Sequence, residues 1–209
     1  MIPVTILAVQ YIPNASPTLC DGLGVHRDKP SLGLITTDCD DATYIALDEA
    51  TKAADVTVSY GRSFYAGAAN ASTPYAGEVL GILSAATPGA VRSGMEAVTG
   101  ALGRIGFEDM GGIPCLAHTV SSCGSFLAKE AGVQEGAALA YLIAPPLESM
   151  VGLDAALKAS DVMLCKLYAP PSETNFGGGL LTGTQAACSA ACDAFRSAIA
   201  KISQQPLER

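Results

Sequence analysis

The chain has 209 residues and a net charge of −8; 49% of its residues are hydrophobic and only 15% are charged. That charge, without Lys or Arg clusters, argues against nucleic acid and anionic membrane as partners, and Met1-Ile-Pro-Val lacks the basic start and apolar run of a secretory signal. Soluble domains usually carry about a quarter charged residues, so the shortfall implies a surface covered by other copies or a partner, while seven cysteines without a Cys-x-x-Cys pair fit free thiols in a reducing cytoplasm.

In chain order, Val4–Ile12 predicts a strand ended by Pro13-Asn14, and Pro17–Leu23 a helical turn. Ser31–Thr36 predicts a short apolar strand that delivers the chain to Asp38-Cys-Asp-Asp41. Leu47, Ala50 and Ala54 follow at helical spacing. Asp48 reads as a first-turn residue facing unpaired N–H groups, with Lys52 one turn further on the same face. Val56–Tyr60 predicts a strand, residues 62–74 a loop of small residues, and Glu78–Leu83 another strand. Thr87-Pro88 is a capped helix start, followed by the apolar stripe Val91, Met95, Val98 and Leu102. Residues 103–114 are glycine-rich and predict a mobile loop at a junction.

After that junction the programme repeats. Asp-Glu-Ala-Thr-Lys-Ala-Ala-Asp-Val at 48–56 and Asp-Ala-Ala-Leu-Lys-Ala-Ser-Asp-Val at 154–162 agree at six of nine positions, with an offset of 106 residues. Two similar domains in tandem follow, 1–105 and 106–209. The second half predicts strands at 115–120, 138–144 and 162–168 and a helical turn at 125–131. A helix around Asp154 and Lys158, a loop over 170–179 and a last helix over 184–202 complete it. The most apolar window, Ala137–Leu147, is too short to cross a bilayer and holds Pro145-Pro146. The fold class is α/β (α+β), each half having about four strands and two to three helices.

Asp38-Cys-Asp-Asp41 admits a ligand-facing wall, ordinary turn chemistry or a hard-metal site. Consecutive carboxylates cannot all turn to one point, and no glutamate follows at calcium-loop spacing, which disfavours the metal. Cys188 and Cys192 lie one helical turn apart amid alanine and read as buried thiols rather than zinc ligands. His118 and Cys123 would make a nucleophilic pair only with an orienting third group, which the neighbouring sequence does not supply, so His118 and His26 read as structural. Gly177-Gly-Gly179 lacks the lysine of a phosphate loop and reads as a close approach of backbones at a symmetry axis or pore rim. No catalytic set, metal or cofactor is expected.

Several long strings resemble one family. They are Ser31-Leu-Gly-Leu-Ile-Thr, Asp38-Cys-Asp-Asp-Ala-Thr-Tyr44, Asp48-Glu-Ala-Thr-Lys52, Tyr60-Gly-Arg-Ser-Phe-Tyr-Ala-Gly-Ala68, Ala140-Tyr-Leu-Ile-Ala-Pro-Pro-Leu-Glu148 and Pro170-Pro-Ser-Glu-Thr-Asn-Phe176. From about residue 28 to 207 the chain resembles the ethanolamine-utilisation shell proteins of bacterial microcompartments. The resemblance implies two tandem, circularly permuted microcompartment domains, each a small antiparallel-containing sheet with flanking helices. It implies a non-enzymatic homotrimer, a pseudohexamer that tiles with other shell proteins in the shell of a compartment in the bacterial cytoplasm. Lys52 and Lys158 become the shell-edge residues. Asp40, Asp41, Glu78, Glu148 and Thr174 become ligand or pore residues, with Phe107 on a gating loop. The implied ligand is a small metabolite such as ethanolamine, whose ammonium group suits carboxylates and whose hydroxyl suits a polar partner. The alternative is a trimeric small-amine sensor that never tiles.

Overall fold

Both halves follow one programme in the computed structural model, which describes residues 1–64, 78–170 and 175–207. The first runs β1 (Ile6–Ile12), α1 (Pro17–Leu23), β2 (Ser31–Thr37), α2 (Asp40–Ala53), β3 (Thr57–Ser63), β4 (Val79–Ala85) and α3 (Pro88–Leu102). The second adds a two-residue strand β5 (Glu108–Asp109), then runs β6 (Pro114–Val120), α4 (Ser125–Ala131), β7 (Ala138–Ala144), α5 (Pro146–Ala159), β8 (Val162–Tyr168), β9 (Gly177–Gly183) and α6 (Gln185–Gln204). The sheets have the orders β1-β2-β4-β3 and β5-β6-β7-β9-β8, and every pairing is antiparallel. Even the irregularities repeat: the register shifts between Val58 and Tyr60 in β3 and between Leu164 and Lys166 in β8. Two compact units result. The N-terminal unit is Pro3–Ile105 with Gly124–Leu127; the C-terminal unit is Met1–Ile2, Gly106–Cys123 and Ala128–Arg209.

Helix starts follow their caps. Ser16, Thr87 and Thr184 each accept a backbone N–H from the residue three positions on, opening α1, α3 and α6. In the N-terminal unit α2 and α3 bury Ile45, Leu47, Val91, Met95 and Val98 together with β2 and β4 residues such as Ile35 and Leu83. In the C-terminal unit the cluster is Ala140, Leu142, Ala156, Cys188, Ala191, Cys192, Phe195 and Ile199. Small residues set the helix spacing there: a Cβ on Gly152 would lie 2.6 Å from the ring of Phe195. Burying a ring like Phe195 contributes about 1.5–3 kcal/mol.

Several expectations are corrected. Asp48 and Asp154 are mid-helix residues, because each helix starts earlier than its apolar spacing predicts. Cys39 is the N-cap of α2, with Asp40 and Asp41 in its first turn, and Pro146 opens α5. The predicted loop 170–179 includes the start of β9, so Gly177–Gly179 lie inside a sheet between β7 and β8. The expected close approach of backbones is there, since a Cβ on Gly178 would sit 1.9 Å from Leu142 O. The glycine-rich stretch 103–114 also carries strand structure. Gly111 and Gly112 adopt φ of 77° and 92°, Met110 N donates to Ile113 O at 2.8 Å, and β5 pairs with β6. Arg196 of α6 holds this hairpin through Glu108, at 3.1 Å from Nε, and also donates to Ala117 O. Among the described residues no helix is long and apolar enough to cross a membrane.

Candidate functional site

Antiparallel register assembles an acidic site in the N-terminal unit. Val79 at the start of β4 is opposite Thr37 at the end of β2 and Ser63 at the end of β3. The next residues along the chain are Asp38 after β2, Asp40 and Asp41 at the start of α2, and Glu78 before β4. Glu78 N donates to Thr37 O at 2.7 Å, and Phe64 N donates to Glu78 O at 3.0 Å, which pins the backbone of the glutamate.

Asp40 and Asp41 are buried. Asp40 Oδ1 accepts from Asp41 N at 2.8 Å and Oδ2 from Ser63 Oγ at 2.6 Å; Tyr44 Oη lies 2.5 Å from Ser63 Oγ. Asp38 extends the pairing of β1 with β2, its N donating to Thr5 O at 3.2 Å and its Oδ1 accepting from Thr5 N at 2.7 Å. Burial, and then the negative charges of Asp40 and Asp38, hold the Glu78 carboxyl above the usual glutamate range. Burial also pushes the Cys39 thiol far up, with Asp41, Asp40 and Asp38 adding to it, which disfavours its thiolate. The arrangement suits a small cation: buried carboxylates with hydroxyl neighbours, and a glutamate whose ionisation is opposed until positive charge arrives.

The C-terminal unit has different chemistry at the corresponding place. Pro146 and Leu147 stand where Asp40 and Asp41 do, and Phe176 precedes β9 where Glu78 precedes β4. Phe176 packs on Phe107 with ring centroids 5.6 Å apart, and Phe107 O accepts from Ile2 N at 2.5 Å. Glu148 is half-buried in the first turn of α5. The expected pore set therefore divides: Asp40, Asp41 and Glu78 share one cluster, while Glu148 and Phe107 belong to the other unit. Thr174 lies outside the described residues. Ser63 and Tyr44 were missed by sequence reasoning, because only strand register brings them to Asp40.

The repeated lysines occupy equivalent positions in the last turns of α2 and α5. Lys52 Nζ lies 2.5 Å from Glu49 Oε1, and Lys158 Nζ lies 2.6 Å from Asp154 Oδ2. The two aspartates differ. Asp48 is fully buried, its Oδ2 accepting from Gly124 N at 2.7 Å and its Oδ1 from Leu127 N at 2.8 Å. Cys188 and Cys192 are buried free thiols, as their alanine-rich setting predicts. His118 is half-buried in β6. Among the described residues no group of three His, Cys, Asp or Glu is placed to hold a metal ion.

Known proteins resemble the chain over its whole length. Residues 31–110 match the BMC domain model. The chain is 54% identical over 211 residues to the bacterial microcompartment shell protein EutL of Clostridium perfringens, covering 99% of this chain and 97% of that protein. It is 46% identical to EutL of Salmonella typhimurium, covering 100% and 97%. The crystal structure of the ethanolamine utilization protein EutL from Leptotrichia buccalis superposes with a TM-score of 0.96 at 52% identity, over 100% of this chain and 98% of that one.

Proposed function

The chain belongs to the EutL family of bacterial microcompartment shell proteins, and from that premise we propose that three copies form a pseudohexameric disc that tiles into the shell and admits a small ammonium metabolite at the cluster of Asp40, Asp41 and Glu78. Its relatives are named as shell proteins, and its role is structural rather than enzymatic. The observation that supports the disc is the doubled unit: two sheets of like order and helices α1 to α6 in matching places suit a chain that supplies two sectors of one ring. Lys52 and Lys158 are the edge residues of those sectors. Glu148, Thr174 and Phe107 are proposed as further pore residues on family resemblance alone. The compartment lies in the bacterial cytoplasm, and the other shell proteins are its lateral partners.

Electron microscopy of concentrated protein separates this reading from the amine-sensor alternative. Extended hexagonal sheets are expected; discrete discs at every salt and concentration would favour the sensor. Ligand binding is tested by calorimetry with ethanolamine. Weak binding, with a Kd of about 1 mM or above, is expected for the native chain and none for Asp40→Ala. Binding should weaken as pH falls through the raised range of Glu78, because its carboxyl gains a proton there. Unchanged heats in Asp40→Ala would remove the cluster from the pore.

Glu78→Gln gives a separate stability signal. A carboxyl whose folded pKa lies above its unfolded value stabilises the fold below the unfolded pKa, and that contribution is lost as pH rises through the folded pKa. Glu78→Gln is therefore expected to raise the melting temperature of ligand-free protein at neutral pH. The gain should shrink as pH falls below the carboxylate range, and thermal scans across pH check it.

A further inference from the structure

Helices α2 and α5 are one helix written twice, yet they are not buried alike. Thr43, Ala46, Leu47 and Ala50 of α2 are buried, and so are their counterparts Ser149, Gly152, Leu153 and Ala156 of α5. Only α2 buries a second stripe, Asp41, Ile45 and Asp48. Its counterparts Leu147, Val151 and Asp154 are open to solvent: Ile45 is 0% exposed and Val151 46%. Met150 and, on β8, Leu164 and Leu167 extend that open face.

What lies along the α2 face is the peptide Gly124–Leu127, part of the same compact unit. Besides the two N–H groups held by Asp48, Ser125 N donates to Thr51 Oγ1 at 3.1 Å. The ring of Phe126 sits 6.0 Å from that of Tyr44 and beside Gly61. This peptide is the entry to α4, and the entry to α1 is its repeat. The equivalence is fixed by matching features: Gly24 and Gly132 both have left-handed φ, and Val25 N donates to Cys20 O as Val133 N does to Ala128 O. Ser16–Leu19 thus corresponds to Gly124–Leu127, and Ser16, Thr18 and Leu19 are exposed.

One chain therefore carries an occupied face with its docking peptide, and an exposed face with an exposed copy of that peptide. We infer that Ser16–Leu19 of one copy docks on the α5/β8 face of the next, with the Asp154 carboxylate accepting from its Ser16 backbone N–H and hydroxyl. Ser16 Oγ already accepts from Leu19 N at 3.3 Å within its own helix, which leaves the hydroxyl hydrogen to donate. The inter-copy version is more apolar than its template. Leu157 replaces Thr51, Leu167 replaces Gly61, and Met150 faces Thr18 where Tyr44 faces Phe126. Ser16 also brings a Cβ where Gly124 has none, so the inter-copy contact requires a wider seat than the template, where a Cβ on Gly124 would lie 2.1 Å from Thr51 Oγ1. Unlike surfaces meet, so the contact is head-to-tail, the kind that three copies of a disc need to close into a ring. This inference rests on the disc proposed above and assigns the residues that close it.

The test uses two differently tagged copies of the full chain expressed together, one carrying Met150→Cys and the other Thr18→Cys. Mild oxidation should give a disulfide-linked dimer holding both tags, and neither variant alone should give one. Asp154→Lys should weaken association about thirtyfold or more in sedimentation equilibrium, because it sets an ammonium group against backbone N–H donors. Its circular dichroism should be unchanged, since Asp154 is exposed in the single chain. If the native chain is a trimer but neither result appears, the docking face is overturned and the disc stands. A native chain that is monomeric at micromolar concentration overturns both.

Discussion

Asp48→Ala is expected to lower the unfolding free energy of the single chain by about 2–4 kcal/mol, whereas Asp154→Ala should change that of the single chain by less than about 0.5 kcal/mol, its loss falling on association instead. The two residues hold the same place in the repeat, so the contrast isolates environment from identity. Asp48 is fully buried and is the acceptor for Gly124 N and Leu127 N; truncation leaves both donors without it in a place water does not reach. Asp154 makes one exposed pair with Lys158. Asp48→Asn keeps one acceptor oxygen and should recover about half of the loss. Urea unfolding at several protein concentrations, extrapolated to the monomer, separates these differences from association, and hydrogen exchange at Gly124 and Leu127 locates them.

The pH dependence of that deficit has an unusual sign. Burial raises the Asp48 pKa and outweighs the two N–H groups and Lys52 that lower it. With the folded pKa above the unfolded one, Asp48 contributes most below the ordinary aspartate range, and the contribution declines as pH rises through the folded value. The Asp48→Ala deficit should therefore grow on acidification. A deficit that shrinks would mean that the two backbone donors, rather than burial, govern this carboxyl.

The repeat explains both what sequence reasoning reaches and where it stops. Doubling, the cap at Thr87 and the stripe of α3 are local signals, and they appear where expected. β9 begins with three glycines, which carry no alternation to read; Gly178 and Gly179 are glycine because Leu142 O and Lys166 O approach them, visible only once strands pair. The start of α2 is hidden because Asp40-Asp41 looks like turn chemistry until Cys39 is seen to cap it. The acidic cluster was half legible. Its carboxylates stand out in the string, but Ser63 and Tyr44 come to Asp40 through the register of β3 on β4. A signal for the contrast between units was present: aligning the halves sets Pro146-Leu147 against Asp40-Asp41 and Phe176 against Glu78.

Joint Lys52→Glu and Lys158→Glu replacement is expected to abolish sheets and leave discs intact, the largest change in assembly predicted for any surface pair. Each lysine sits in the last turn of its helix, where a cation is favoured over an anion by about 0.3–1 kcal/mol. The carboxylate introduced by Lys158→Glu would also face Asp154 one turn back, costing about 0.2–0.5 kcal/mol. Against a folding free energy of about 5–15 kcal/mol those losses are small, so the units fold. At the proposed lattice edge the arithmetic differs, because the same two residues would recur at every contact between discs. Even about 1 kcal/mol per contact, multiplied around a disc, raises the concentration needed for sheet growth by orders of magnitude. Charge reversal also turns attraction into repulsion on a chain that is already net negative. Salt at about 1 M, where screening acts within about 3 Å, should not restore sheets if the lysines donate directly to the neighbouring disc. Lys52→Arg with Lys158→Arg keeps the charge and should keep the sheets. Sheets that persist in the double glutamate variant, seen by electron microscopy beside unchanged trimers in sedimentation, would move the edge elsewhere on the disc.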